Sequence, residues 1–284
     1  MKIGIINKYL KDRWGSLRYK RLKEFGFDCI DYGMANTNIA PYTLDSEKFD
    51  EYLLAEKALA DAAGISIWQV HGPWRFPPVE KTPEERAERL KKMKKSIHGA
   101  ALLGAKYWIV HPIMPYGVED IGTEFESETH RLNLEFMREL LTVARAEGVT
   151  ICLENMPFLD FSISSSEDIV SFIREIDDPS FMMCLDTGHE FKYPNSSPAE
   201  VVRKYGKYIK SLHVHDNCGV RDEHLMPFTG EIDWADFGKA LGEVGFDGVM
   251  SLECNADERL PADIFDSLYP IYAKIADLIA SYAK

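Results

Sequence analysis

Six residues able to hold a metal ion stand at or near the ends of short apolar runs: His71, His111, Glu154, Asp186, His213 and Glu253. Two further candidates follow closely, His189 three residues past Asp186 and the pair Asp222-x-His224. Taken singly, each has a plain explanation. A strand-end histidine is usually a hydrogen-bonded structural residue, Asp186 before Thr-Gly can cap a turn, and Asp222–His224 can be a solvated loop. Together they ask for more. Buried carboxylates without partners are very costly, so they pair or bind metal. The apolar runs that carry them hold almost no Lys or Arg. A shared divalent cation resolves the conflict.

The elements that would bring these residues together follow from the rhythm of the chain. The apolar runs 2–6, 28–32, 65–71, 107–111, 150–154, 181–186, 211–215 and 249–253 are short enough for strands. Most are apolar throughout, as expected of parallel strands buried on both faces. Helix-like stretches lie between them, at 16–25, 46–63, 82–103, 126–147, 165–175, 198–205, 233–244 and 262–282. The third opens on Thr82 as cap, Pro83 and two acids; the fifth opens on Ser165 or Ser166 as cap. Strict βα alternation over eight units predicts a single-domain (β/α)₈ TIM barrel spanning 1–284. The rival, a doubly wound nucleotide-binding sheet, would normally show a Gly-rich turn after its first strand. The chain instead reads INKYLKDRWG there. In a barrel the C-terminal strand ends converge on one mouth, where the active sites of this fold sit.

The segments HGP (71–73), IVHP (109–112), LENMP (153–157), CLDTGHE (184–190), LHVHDN (212–217), DEHL (222–225), TGEIDW (229–234) and SLECN (251–255) resemble the xylose isomerase-like TIM barrel superfamily. That group contains sugar and sugar-phosphate isomerases and epimerases, and also endonuclease IV. The resemblance implies a barrel with a divalent metal, commonly Mn²⁺, Mg²⁺, Co²⁺ or Zn²⁺. On the ketose epimerase pattern Glu154, Asp186, His213 and Glu253 would hold one metal. His189 would sit beside it or touch substrate, and Arg221 would reach a substrate hydroxyl. On the endonuclease IV pattern His71, His111, His189, Asp222 and His224 join those four in a three-zinc site. Many sugar-converting members keep these residues too.

An oxygen-rich shell of three carboxylates and one imidazole suits Mn²⁺ or Mg²⁺, with Zn²⁺ and Co²⁺ also compatible. Such a cation would stabilise the enediolate oxygen formed when a sugar C–H loses its proton. Glu154 and Glu253 are the candidate acid–base pair, one removing a proton and the other returning it. His111 and His189 are candidate proton shuttles or orienting groups, and Trp74 and Phe76 a wall for the sugar. Pro73, Pro77 and Pro78 would shape the rim, Asn155 and Asn217 are candidate hydroxyl contacts or turn closers, and Trp108 is expected in the core. The expected activity is a metal-dependent isomerase or epimerase of a small sugar, sugar phosphate or polyol-derived ketose. The alternatives are an abasic-site endonuclease with a trinuclear zinc site and a keto-sugar or inosose dehydratase.

Composition narrows the choice. The 284 residues are 45% hydrophobic and 28% charged, an ordinary globular balance. Thirty-three Lys and Arg face 46 Asp and Glu, a formal charge of −13, which disfavours nucleic acid or anionic membranes as partners. The Lys-rich run 90–95 falls on a helix and reads as a solvated outer face. No stretch approaches the roughly 18 apolar residues of a membrane span. Five scattered cysteines without a CxxC fit a reducing compartment. These features predict a soluble cytoplasmic protein, and the resemblance implies a small-molecule sugar as its partner. A homo-oligomer, common among such barrels, leaves no interface signature in the sequence.

Overall fold

The computed structural model describes residues 1–74, 80–254 and 256–284. Phe76, Pro77 and Pro78 lie outside the described residues. Eight strands alternate with helices: β1 (Lys2–Ile6), β2 (Cys29–Gly33), β3 (Ser66–His71), β4 (Tyr107–Val110), β5 (Thr150–Glu154), β6 (Phe181–Asp186), β7 (Ile209–His213) and β8 (Val249–Leu252). All pair in parallel, in the order β7-β6-β5-β4-β3-β2-β1-β8. The circle closes through one bridge, where Val214 N donates to Ser251 O at 2.8 Å and Val214 O accepts from Glu253 N at 3.0 Å. The predicted (β/α)₈ TIM barrel is therefore the fold. The seventh strand begins and ends two residues earlier than predicted, because past His213 the chain leaves β6 to make that closing bridge.

The helices are α1 (Leu10–Trp14), α2 (Arg18–Phe25), α3 (Ser46–Ala62), α4 (Pro83–Leu103), α5 (Glu126–Glu147), α6 (Ser166–Ile176), α7 (Thr187–Phe191), α8 (Pro198–Tyr205), α9 (Trp234–Glu243) and α10 (Ala262–Ser281). Thr82 and Ser165 each form a capping box, with Glu85 and Asp168 answering three residues on. The short helices α1 and α7 were not expected from the sequence. Helix α7 exists because Asp186 caps it, its Oδ1 accepting from His189 N at 2.7 Å.

Alternation along each strand sorts side chains to two faces. Trp108, Val110, Ile151, Leu153, Met183 and Leu185 join the large apolar core. Their neighbours Ile109, Cys152 and Cys184 form a separate small cluster on the other face. Two residues further along that same inner face stand His111, Glu154 and Asp186. These three polar side chains thus stand one layer above a small apolar cluster, at the C-terminal mouth.

A buried ion pair joins α2 to α3. Arg18 donates to Glu56, which also accepts from Tyr19 Oη at 2.8 Å. Glu56→Ala strands the buried guanidinium and should cost about 3–5 kcal/mol in a denaturant titration. A loss below about 1 kcal/mol would mean that Arg18 finds water.

Candidate active site

His71, His111, Glu154 and Glu253, at or just past the ends of β3, β4, β5 and β8, line a cavity of about 1580 Å³, and Asp186 and His213, at the ends of β6 and β7, are fully buried behind them. Glu154 lines the cavity and is 1% exposed. Its Oε2 lies 3.0 Å from His111 Nε2 and 3.6 Å from His71 Nε2. Its Oε1 lies 3.0 Å from His213 Nδ1 and 3.6 Å from His189 Nδ1. Glu253 Oε2 lies 3.3 Å from the same His213 nitrogen. One donor atom each from Glu154, Asp186, His213 and Glu253 falls within 4.8 Å of the other three, as do donors from His71, Glu154 and His213.

This donor set fits a divalent cation. Three carboxylates crowd one spot, and Glu253 Oε2 is buried with no hydrogen-bond partner among the described residues. Among the described residues only histidines pair with Glu154, Asp186 and Glu253. The electrostatics separate the two glutamates. Burial opposes ionisation of Glu154, yet His213 and His111 hold its carboxyl well below the usual carboxylate range. Burial raises Glu253 above that range despite His213 and His224 nearby. Burial pushes His111 down to about 4 against the attraction of Glu154.

A second cluster lies beside the first. His189, His215, Asp222 and His224 each bring a donor atom within 4.8 Å of the others. His215 Nε2 is 2.9 Å from the Asp186 carboxylate, and Asp222 Oδ2 is 3.3 Å from both His189 Nε2 and His224 Nε2. Burial works against the His189 imidazolium, but Asp186 and Asp222 raise its pKa to about 10. Asp186 is lowered to about 2, burial being outweighed by His189 and His215.

The loop bearing Asp222 and His224 is held by Asp216, fully buried. Its carboxylate accepts from the backbone N–H of Asn217, Gly230 and Ile232 and from Trp234 Nε1. Gly188 makes room for the His215 ring: a Cβ there would stand 2.1 Å from Cε1. Gly188→Ala should therefore displace His215 and cost about 1–3 kcal/mol of stability, read by denaturant unfolding. An unchanged midpoint would show that the ring has room to move.

The remaining expected residues divide. His71, His111, His189 and Trp74 line the cavity, Trp74 packing edge-on to His111 at 5.8 Å. Trp108 is buried in the core with Nε1 donating to Ser96 Oγ. Asn155 does not face the cavity. Fully buried, it donates from Nδ2 to Asp186 O at 3.0 Å and accepts from Asp186 N at 2.8 Å, so its amide ties β5 to β6 and is taken from any substrate. Asn217 likewise spends its amide on Gly188 O and Gly219 N. Arg221 is exposed and stands apart from the lining residues, because the loop turns Asp222 and His224 inward in its place. Sequence reasoning missed His215, although HVH spaces two imidazoles onto one face of an extended chain. It also missed Asp31, Gln69 and the β1 loop residues Asn7, Lys8 and Tyr9 that wall the cavity.

Known proteins carry the same architecture. The sequence pattern described as "Xylose isomerase-like TIM barrel" matches residues 19–271. The D-psicose 3-epimerase of Ruminiclostridium cellulolyticum is 27% identical over 268 residues, covering 89% of this chain and 83% of that one. An uncharacterized protein of Methanocaldococcus jannaschii is 28% identical over 262 residues, with the same two coverages. The crystal structure of a D-tagatose 3-epimerase-like protein superposes with a TM-score of 0.75 at 26% identity, covering 98% of this chain and 99% of that chain. A match over most of the chain, on a barrel with this mouth, makes the protein a member of the xylose isomerase-like TIM barrel family.

Proposed function

We propose that the protein is a divalent-cation-dependent epimerase or isomerase of a sugar, sugar phosphate or polyol-derived ketose. The reading rests above all on one observation, the convergence of Glu154, Asp186, His213 and Glu253 on one spot, with Glu154 and Glu253 opening to the cavity. Those four residues would hold the cation, with Mn²⁺, Mg²⁺, Co²⁺ and Zn²⁺ all compatible with an oxygen-rich shell of this kind. When bound, the cation polarises adjacent carbonyl and hydroxyl oxygens of a sugar and so acidifies the neighbouring C–H. Similarity to the D-psicose and D-tagatose-type epimerases supports a ketose as substrate.

The chain's own groups do the rest. Glu154 and Glu253 exchange the proton, one taking it and the other returning it. Return to the opposite face of the same carbon inverts that centre; return to the neighbouring carbon moves the carbonyl. His111 and His71 brace Glu154. Trp74, Met156 and Phe158 supply apolar lining against which a sugar ring face can lie and from which water is excluded. The cluster His189, His215, Asp222 and His224 is suited to a second cation. Duplex DNA is disfavoured as substrate: the described lining residues include seven carboxylates against four cations, and Arg259 among the cations is paired to Asp257.

Incubation with free and phosphorylated ketoses in D₂O, with Mn²⁺ supplied, tests the reading by NMR. Deuterium should enter at a carbon next to the carbonyl, with a new epimer or isomer appearing. Failure of exchange across the panel, with clean incision of an abasic-site duplex instead, would overturn it.

A further inference from the structure

A buried acid lies beneath the mouth, where the proposed proton transfer does not reach. Asp31, on β2, is 1% exposed and shares the inner face of the barrel with Cys29. Two donors converge on its Oδ2: Gln69 Nε2 at 2.8 Å and His213 Nε2 at 2.8 Å. Gln69 is itself fixed across the barrel, its Nε2 also 3.2 Å from Leu212 O and 3.4 Å from Ser251 Oγ. His213 is thereby clamped. One ring nitrogen bonds Asp31, the other lies 3.0 Å from Glu154 and 3.3 Å from Glu253, and His71 stacks on its face at 5.4 Å and 4°.

Stability alone does not explain an acid here. Barrel interiors are filled mainly by branched apolar residues. Asp31 Oδ1 has no hydrogen-bond partner among the described residues, and the only charge-bearing side chain paired to the carboxylate there is His213. Burying a carboxylate on such terms is unfavourable. Its geometry does match one recurring need. An imidazole that ligates a metal gives its other N–H to a carboxylate, which fixes the tautomer and raises the ring's basicity.

We propose that Asp31, steadied by Gln69, is the positioning residue that holds His213 with Nε2 protonated and the Nδ1 lone pair aimed between Glu154 and Glu253. The inference rests on the cation site proposed above. Its test compares wild-type protein with Asp31→Asn and Asp31→Ala by calorimetric titration with Mn²⁺. A parallel ¹H–¹⁵N imidazole correlation spectrum is taken on the Zn²⁺-loaded proteins. Asparagine keeps an acceptor oxygen without the charge, and should weaken Mn²⁺ binding by about 10-fold while preserving the Nε2-protonated signal. Alanine should weaken it by about 100-fold and abolish that signal. If Asp31→Ala fails to fold, Asp31→Asn carries the test alone. Wild-type affinity and an unchanged tautomer in the variants, in a protein that binds Mn²⁺, overturn the inference and leave the cation site standing. A wild-type protein that binds no Mn²⁺ overturns both.

Discussion

Glu154→Gln and Glu253→Gln should each reduce turnover by about 10²–10⁴-fold, the usual contribution of a positioned acid or base. Glutamine preserves shape and keeps one carbonyl oxygen, so the barrel floor survives while proton transfer does not. The two variants should also differ. Glu154 sits among four imidazoles, and loss of its charge removes the partner of His111 and His213 together. Glu253 touches the floor from one side only, its carboxylate near His213 and His224. Metal content should therefore fall further in Glu154→Gln. Rates are measured on whichever ketose shows exchange in D₂O. Full turnover in either variant contradicts the acid–base assignment.

Removing the cation should be nearly as damaging. Treatment with a chelator should bring turnover to background, and added Mn²⁺ or Co²⁺ should restore it. The folded protein should lose stability at the same time, because without the ion three carboxylates crowd one buried floor. A cation present at 100 times its dissociation constant stabilises the native state by about 2.7 kcal/mol. For a chain of this size that corresponds to a fall in thermal midpoint of about 5 °C on chelation. Activity and midpoint that both survive exhaustive chelation would argue for chemistry carried by the side chains alone.

Much of this architecture is legible in the sequence because it is periodic. Parallel strands buried on both faces read as apolar runs, and amphipathic helices with caps such as Thr82 and Ser165 read as such between them. The strand-end histidines and acids are legible for the same reason: each breaks an apolar run where the run ends. Asp31 and Gln69 break their runs too, but in the middle. Nothing local says that a residue in β2 meets one in β7, and the 2.8 Å bond from His213 exists only through barrel closure. His215 escaped because its role depends on where β7 stops. Once Val214 turns to bridge β8, His215 faces Asp186. Asn155 points away from the cavity because its neighbour Glu154 faces it, and alternation sends the next side chain into the seam between β5 and β6. The loop after β1 and the short helix α1, which bring Lys8, Tyr9 and Asp12 to the cavity, carry no periodic signal at all.

A cation held among Glu154, Asp186, His213 and Glu253 is the feature on which the proposed chemistry depends. Crystals grown with Mn²⁺ and measured at the manganese absorption edge test this directly. An anomalous peak is expected within bonding distance of side-chain atoms of all four residues, with His213 presenting Nδ1. A peak confined to His189, His215, Asp222 and His224, or none at the floor, would contradict it.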